Sequence, residues 1–446
     1  MKIRLLNLWD DFRESFWFAP AMLSLLAVPL AFAALYADHR ITAADVQVTQ
    51  FVRDAAASRQ ILSSVSGVVI TLAGVVFSVT LVAISMASSQ FGSRLLRCYM
   101  TDSVADRVIG LLLATSLFCS IVLQQVREAT AEFEAFVPQI STAAAALLGF
   151  ISVAFLIYFV HDTALSIQAP RLIAAVAMDL DDAVERLIPN ISSQQAAASR
   201  RGIKSVDLDW RRLGSFAVTA PRDGYVEGID VETLVQAAQR TSTIIEVICR
   251  PGHFASTTSP LMSISIQNVA DEGQWREPLI ADIHSAVVIG SRRTPRQDIS
   301  CSIIELVEVA TRALSPGINN PFAAMNCIDR LGATLARIVS REFPPDHHFD
   351  SDGRLRCVMP GVSFSNLLSD AFAQIRQYGC TSVAVSIRLI ETLVRIREQA
   401  HREEDISAIR RQAEAIRTAF LDSKPAAVDV DDFNRRYEHF ESLEAI

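Results

Sequence analysis

The sequence lacks the features that define several common classes of protein. Its seven cysteines are scattered singly, with no C-x-x-C pair, which fits neither a disulfide framework nor a zinc finger. It has no Gly-rich phosphate loop, no G-x-S-x-G elbow and no H-E-x-x-H motif. We therefore expect reduced thiols, no cofactor, no metal and no enzymatic activity.

Charged residues are also scarce. Only 20% of the 446 residues are charged and 50% are hydrophobic, with a mean hydropathy of +0.29. This composition is too apolar for an ordinary soluble protein of this length and indicates a lipid bilayer as partner. The net charge of −8 gives no electrostatic reason to bind nucleic acid, so we expect no nucleic-acid partner.

Four apolar runs contain no Asp, Glu, Lys, Arg or His at all. They cover residues 17–37, 61–89, 108–126 and 139–160. Each run suits a hydrocarbon core of ~30 Å, which needs about 20 helical residues to cross. Because ion-coupled carriers usually keep ionisable groups within the membrane, the sequence argues against a proton-coupled pump.

Basic residues near the four runs indicate the orientation. Six Lys or Arg residues lie before the first run and between the second and third, against four on the other side. The excess favours both termini on the cytoplasmic side. The large C-terminal part would then be cytoplasmic, in agreement with its unpaired thiols.

The second run carries the most informative pattern. On a 3.5-residue repeat, one face is a stripe of small or hydroxylic residues, interrupted only by Leu81: Ser64, Gly67, Thr71, Gly74, Ser78, Ser85 and Ser88. Small residues let two helix backbones approach closely, so one interpretation is helix packing. The other is a stripe that lines a water-filled path in a homo-oligomer, where hydroxyls replace part of an ion's hydration.

Three segments carry a resemblance to a known family. They are residues 88–97, with Gln90 and Arg94, residues 158–168, with His161 and Asp162, and residues 313–322. The last holds the loop Ser315, Pro316, Gly317, Asn319, Asn320 and Pro321. The sequence resembles a bacterial family of predicted membrane proteins, domain of unknown function 2254, over nearly the whole chain. The resemblance implies a multi-pass protein of the bacterial inner membrane.

The sequence predicts an α-helical membrane domain of four transmembrane helices, followed by a cytoplasmic α+β region. The predicted divisions are 1–165 for the membrane domain, 166–204 for an amphipathic connector helix and linker, 205–295 for a small β-rich domain and 296–446 for a helical domain. The β-rich part resembles a barrel-sandwich fold of the biotinyl and lipoyl type, which is an analogy of fold only. No Lys lies between Lys204 and Lys424, so a swinging-arm function is excluded.

In the part predicted to be helical, residues 296–446, the apolar pattern predicts two helices joined by the loop 315–321. The first ends before Ser315, and the second begins at Pro321 with Asn319 or Asn320 as its cap. The loop is either a capped turn or an anion site at a helix N-terminus, aided by Arg312 or Arg330. Two apolar stripes, 383–394 and 406–420, predict an antiparallel helical hairpin. We interpret His347 and His348 as part of an exposed polar loop rather than a metal site.

Two functions fit this pattern. The first is a homo-oligomeric, gated channel for an ion or small solute, with a regulatory cytoplasmic domain. The alternative is a membrane-anchored sensor or scaffold, whose cytoplasmic domain binds a ligand or protein and whose helices do not conduct.

Overall fold

The computed structural model describes residues 17–43, 54–91, 104–128, 136–166, 169–189, 214–266 and 275–443. The chain divides into two compact units, residues 1–172 and residues 173–446. Arg94 and residues 190–204 of the predicted linker lie outside the described residues.

The first unit contains four helices long and apolar enough to cross a membrane, counted over the described residues. They are α1 (Phe18–Ala43), α2 (Ala55–Phe91), α3 (Val104–Leu123) and α4 (Gln139–Ser166). All four predicted runs are therefore confirmed as helices. Helices α1, α2 and α4 extend past the ends of their apolar runs, so that α1 includes Asp38, His39 and Arg40 near its end. Helix α3 begins before its run and ends at Leu123, three residues short of the end of that run.

Helix α3 is the central helix of this unit. It is the most buried of the four spans, and its side chains enter two apolar clusters. In one cluster Phe118 and Val122 pack with Ala31 of α1 and Leu62 of α2. In the other, Val108 and Leu112 pack with α2 and with Phe159 of α4. The other helices therefore turn part of their apolar surface outward, as spans in contact with lipid do.

The amphipathic connector is confirmed as α5 (Ala169–Leu187). Its predicted apolar face is buried at Leu172, Val176, Leu180 and Val184. Its polar face makes two ion pairs, Asp181 with Arg337 of the helix α9 (Pro321–Val339) and Glu185 with Arg341, just beyond the end of that helix.

Eight strands form two sheets in the second unit, over the described residues. The strands are β1 (Ser215–Thr219), β2 (Gly224–Ile229), β3 (Thr243–Val247), β4 (Phe254–Ala255), β5 (Pro260–Ile266), β6 (Val287–Gly290), β7 (His347–Phe349) and β8 (Leu355–Val358). The five-stranded sheet has the order β1-β5-β3-β8-β7, with only β3 and β8 parallel. The three-stranded sheet has the order β4-β2-β6 and is antiparallel.

One apolar core lies between these sheets and two helices, α6 (Val231–Thr241) and α7 (Arg276–Ala286). Ile245 and Ile264 enter it from the larger sheet and Val226 from the smaller one. Leu234 and Ile283 enter it from the helices. Strands with alternating burial and helices with one apolar face can close such a core from both sides.

The remaining helices of the second unit are α8 (Ile299–Ala313), α10 (Phe364–Gly379), α11 (Val383–Arg397), α12 (Glu403–Asp422) and α13 (Ala427–Ser442). The hairpin of α11 and α12 agrees with the prediction. Helix α9 begins at Pro321 and is capped by the Asn320 side chain, as predicted, because that side chain accepts a hydrogen bond from the N–H of Ala323.

The structure differs from the predicted organisation in two details. Strands β7 and β8 come from the part assigned to the helical domain, yet β8 pairs with β3, so the sheet crosses the boundary predicted at residue 295. His347 and His348 belong to β7, so the prediction of a polar loop there is wrong. The helices α7, α10 and α13 were not predicted individually. The likeness to a barrel-sandwich fold stays a prediction.

Candidate functional site

Helix α2 buries one face within its own subunit. The buried residues are Leu62, Val69, Ala73, Val76, Thr80 and Ala83. Val69, Ala73 and Val76 share a cluster with residues of α3 and α4, including Val108 and Phe159. This face is therefore fully used by packing inside the subunit.

The stripe of small and hydroxylic residues lies on the opposite face. At about 100° per residue, it is rotated by roughly 160° from the buried face of α2. Ser64, Gly67, Thr71, Gly74, Ser78 and Ser85 are all exposed, and only Ser88 is half-buried. A Cβ atom added to Gly67 or Gly74 would meet nothing within 4 Å. From Ser64 to Ser85, the stripe is thus not covered by any described residue of its own subunit.

Other hydroxyls of the first unit pair between helices. These pairs are Ser58 with Thr142 at 2.7 Å, Ser66 with Ser116 at 3.0 Å and Thr115 with Ser152 at 3.3 Å. In the stripe, by contrast, the Thr71 hydroxyl donates to the carbonyl of Gly67 within its own helix. Sequence analysis could not distinguish the hydroxyls that pair between helices from those of the exposed stripe, because both sets are Ser and Thr residues in apolar runs.

Asp38 connects α1 to the start of α4. Its carboxylate accepts hydrogen bonds from the N–H groups of Ile140 and Ser141, at 2.8 and 2.9 Å. The side chain is almost fully buried, with 3% of the residue exposed. A carboxylate at a helix N-terminus satisfies donors that have no partner within the helix. Sequence analysis missed this contact, because nothing local links residues 103 positions apart.

The predicted site residues at the ends of the second and fourth runs are described only in part: Gln90, Arg94, His161 and Asp162. Asp162 pairs with Arg171 at 3.3 Å, whereas the neighbouring His161 is exposed. Gln90 lies near the end of α2, but its side chain, like the whole of Arg94, falls outside the described residues. The Asp162–Arg171 contact is a half-exposed ion pair of small energetic value.

The family-motif loop is a tight turn held by its own backbone. The N–H groups of Ile318 and Asn319 both donate to the carbonyl of Ser315, and that of Asn320 donates to Ala313. Asn319 has a φ of 47°, a left-handed conformation that Asn adopts more readily than most residues. Pro316 and Gly317 are exposed at the turn.

This geometry weakens the anion-site interpretation of the loop. Pro321, the first residue of α9, has no N–H, and the N–H of Ala323 already donates to Asn320. Phe322 alone keeps an N–H for an anion among these first three positions. The capped-turn interpretation accounts for the loop with fewer assumptions.

A polar cluster joins a loop of the β-rich part to the start of α8, and sequence analysis did not predict it. Asp298 is buried and accepts from Arg293 at 2.7 and 2.8 Å. Burial raises the pKa of Asp298, and Arg293 only partly offsets this. His253 accepts from Arg250 at 3.1 Å, and burial together with the positive charge of Arg250 and Arg293 lowers its pKa.

Gly252 permits this approach. It has a φ of +89°, and a Cβ there would lie 2.3 Å from a carboxylate oxygen of Asp298. Only glycine therefore fits between the loop and the carboxylate. Perturbed ionisable groups mark functional sites and structural ion-pair networks alike. We assign this cluster a structural role, since each polar group named above pairs within the chain.

Metal and thiol chemistry have little support in the part of the chain that the structure describes. No group of three His, Cys, Asp or Glu residues there could hold a metal ion. The six described cysteines are free. Burial raises the pKa of Cys327 and Cys357 to about 12, which keeps both thiols protonated and unreactive.

Comparison with known proteins agrees with the motifs. The family model described as Predicted membrane protein (DUF2254) matches residues 13–395. The chain is 29% identical over 336 residues to the uncharacterized proteins Mb1321c of Mycobacterium bovis and Rv1290c of Mycobacterium tuberculosis. Each match covers 75% of this chain and 63% of the relative, so the chain spans less than two thirds of these relatives. No solved structure matches the chain. Since the family model covers far more than half of its residues, the chain belongs to the DUF2254 family of predicted membrane proteins.

Proposed function

We propose that the protein assembles with copies of itself through α2 and forms a passive, gated channel for an ion or small solute in the bacterial inner membrane. The observation that carries this proposal is the exposed stripe on α2, opposite the face that packs within the subunit. The second unit would regulate the channel from the cytoplasm. The proposal assigns no catalytic chemistry to the chain.

The first step of the argument concerns assembly. The other outward surfaces of the spans carry bulky apolar side chains, such as Phe32 on α1 and Phe150 on α4, which suit lipid. The stripe instead brings the backbone of Gly67 and Gly74 to the surface. Close approach of a second helix gains van der Waals contact at such positions, whereas lipid chains fill them poorly. A copy of α2 is the partner that symmetry supplies.

The second step concerns the path. Hydroxyls that converge around a symmetry axis can replace part of the hydration shell of a permeating species. Ser64, Ser78 and Ser85 supply such hydroxyls along about six helical turns of α2. Residues 60–91 contain no Asp, Glu, Lys, Arg or His. Transport without an ionisable group in this helix would be passive rather than proton-coupled.

Conductance of the full chain in planar bilayers tests the proposal. Leucine at the stripe should narrow the path, so Ser78→Leu and Thr71→Leu should abolish most of the current. Val79→Leu is the matched control, because Val79 is also exposed on α2 but lies beside the stripe. The control should conduct like the parent.

Two results would contradict the channel. One is the absence of current under voltage, membrane tension and pH steps. The other is a current that Ser78→Leu and Val79→Leu leave equally unchanged. Oligomeric state is measured on the same samples, so that loss of assembly is separated from blockage of a path.

A cavity in the second unit favours the alternative function of a membrane-anchored sensor. It has a volume of about 300 Å³ and is lined by Glu391 and Val394 of α11 and by Arg435, Arg436 and His439 of α13. A recess of this size can hold a small ligand. Its two guanidinium groups suit an anion, although both already pair with Asp432 and Arg436 also pairs with Glu391.

Calorimetric titration of the full chain with inorganic phosphate, citrate and a nucleoside triphosphate tests this alternative. Binding that Arg435→Gln weakens and Arg411→Gln does not, in a protein that never conducts, would establish the sensor. Heat signals indistinguishable from buffer for all three anions would refute an anion sensor at this cavity.

A further inference from the structure

Two loops meet at one end of the helical bundle in the second unit. Residues 314–320 join α8 to α9, and residues 380–382 join α10 to α11. A Cβ atom added to Gly379, the last residue of α10, would lie 3.2 Å from a side-chain methyl of Leu314. The two loops are therefore neighbours, and we call residues 314–322 and 378–382 the bundle tip.

The bundle tip exposes large apolar side chains. Phe322 is 78% exposed, Tyr378 is 61% exposed and Ile318 is 40% exposed. Single exposed residues of this kind are ordinary on protein surfaces. Ile318 lies on the first loop, Phe322 lies in the first turn of α9, and Tyr378 lies in the last turn of α10. Together they form an aromatic-rich surface that no described residue covers.

The surface is held in place rather than loose. The Ser315 carbonyl accepts from two loop N–H groups, and the Asn320 side chain caps α9 directly before Phe322. On the other loop, the N–H of Ser382 donates to the carbonyl of Gly379. Ile318 on its loop, and Phe322 and Tyr378 at the helix ends, are therefore held in a fixed orientation, which lowers the entropic cost of burying them.

The charge around the bundle tip is one-sided. Residues 309–328 and 371–390 contain no Asp or Glu, although the chain as a whole has 49 of them. At that average, about four acids would be expected in these two segments. The charged residues that they contain are Arg312, Arg376 and Arg388, of which Arg388 pairs with Asp329, just outside the first segment. An anionic surface would thus meet no repulsion from either segment.

We propose that the bundle tip docks on the anionic surface of the bilayer that holds the chain's own spans, with Phe322, Tyr378 and Ile318 in the interfacial layer. Aromatic side chains favour this layer, because their apolar rings and polar edges match its two sides. A second copy is the poorer occupant. Three side chains bury far less than the about 1,000 Å² that a stable protein interface needs.

Because the four spans tether the second unit to the membrane, even this weak contact can keep the bundle tip on the lipid surface. The four spans keep the second unit close to a membrane at all times, so the effective concentration of lipid is high. A contact that could not recruit a free protein can then hold a domain already attached. The inference does not depend on conduction, and it holds equally for a channel and for a sensor.

Photo-crosslinking of the full chain in nanodiscs tests the proposal. p-Benzoylphenylalanine replaces Phe322 or Tyr378, both of which are exposed aromatic residues, so the fold should tolerate either change. Val428 is the matched control position. It is 71% exposed but is followed by Asp429, Asp431 and Asp432, which an anionic membrane repels.

Adducts are identified by mass spectrometry in phosphatidylcholine discs with and without phosphatidylglycerol. We expect several-fold more lipid adduct at positions 322 and 378 than at 428, and a further increase with phosphatidylglycerol. Equal lipid yields at all three positions would overturn the proposal. Crosslinks from position 322 to a second copy of the chain would overturn it as well, and would assign the surface to assembly.

Discussion

The hydroxyl of Ser141 donates to the carboxylate of Asp38 at 2.5 Å, so that a side chain of one membrane helix closes the N-terminus of another. Only 3% of Asp38 is exposed, and little water competes for the contact. The bond therefore fixes where α1 and α4 meet.

Asp38→Ala should destabilise the four-helix unit. The substitution removes the acceptor of two backbone N–H groups and one hydroxyl, a loss of about 2 kcal/mol. Asp38→Asn keeps an oxygen acceptor and should lose less. Thermal unfolding in detergent measures both. Asp54→Ala is the control, because Asp54 is exposed and accepts at 3.4 Å from Ala56. Equal losses at positions 38 and 54 would contradict the tertiary cap.

Gly332→Ala should destabilise the second unit by overpacking. A Cβ at position 332 would lie 2.1 Å from the side-chain methyl of Thr392, where α9 meets α11. Inserting a methyl into a packed contact costs about 1–3 kcal/mol. Adding Thr392→Ser removes that methyl and should recover much of the loss, as a double-mutant cycle in urea would measure. Gly317→Ala, at a position with nothing within 4 Å, should change little. Additive effects at positions 332 and 392 would contradict the contact.

Asn320→Ala should lower the stability of the second unit by about 1 kcal/mol, because the N-cap of α9 is lost. Asn320→Asp should retain most of that stability, since a carboxylate also accepts from the N–H of Ala323. At the neighbouring position, Asn319→Val should be costly, because a β-branched residue is strained at a φ of 47°. Chemical unfolding of the three variants provides the measurement. An Asn320→Asp variant no more stable than Asn320→Ala would contradict the capping role.

Stability of the second unit should fall on mild acidification. Burial lowers the pKa of His348 below its ordinary value of 6.5; Asp346 opposes this shift, and His347 adds to it. Burial also lowers the pKa of His253. The unfolded chain therefore binds more protons as pH falls through 6.5, and stability that is fully present above that value is lost below it.

His348→Gln should reduce the steepness of this loss, and His253→Gln with His348→Gln should reduce it further. The free energy of unfolding, measured at several pH values from 8 down to 5, gives the slope for each protein. A slope that is the same in the parent and in the double variant would contradict the assignment to these two histidines.

Much of the local structure follows from the sequence because its causes are local. The apolar runs predicted four membrane helices, the 3.6-residue periodicity predicted α5, α8 and the α11–α12 hairpin, and Asn320-Pro321 predicted the start of α9. Propensity, capping and amphipathicity act over a few residues, so a sequence displays them directly. The strand β7 escaped prediction because His347-His348-Phe349 is short and bounded by turn residues, and pairing with β8 makes it a strand.

The sequence alone determined the membrane helices, the family and a stripe of small residues on α2. Tertiary structure alone decided which side of α2 faces its own subunit, that Asp38 caps α4, that β8 joins β3 and that Asp298 meets Gly252. These relationships join residues far apart in the chain or depend on how a helix is rotated against its neighbours. Packing and burial set both, and no local pattern encodes them.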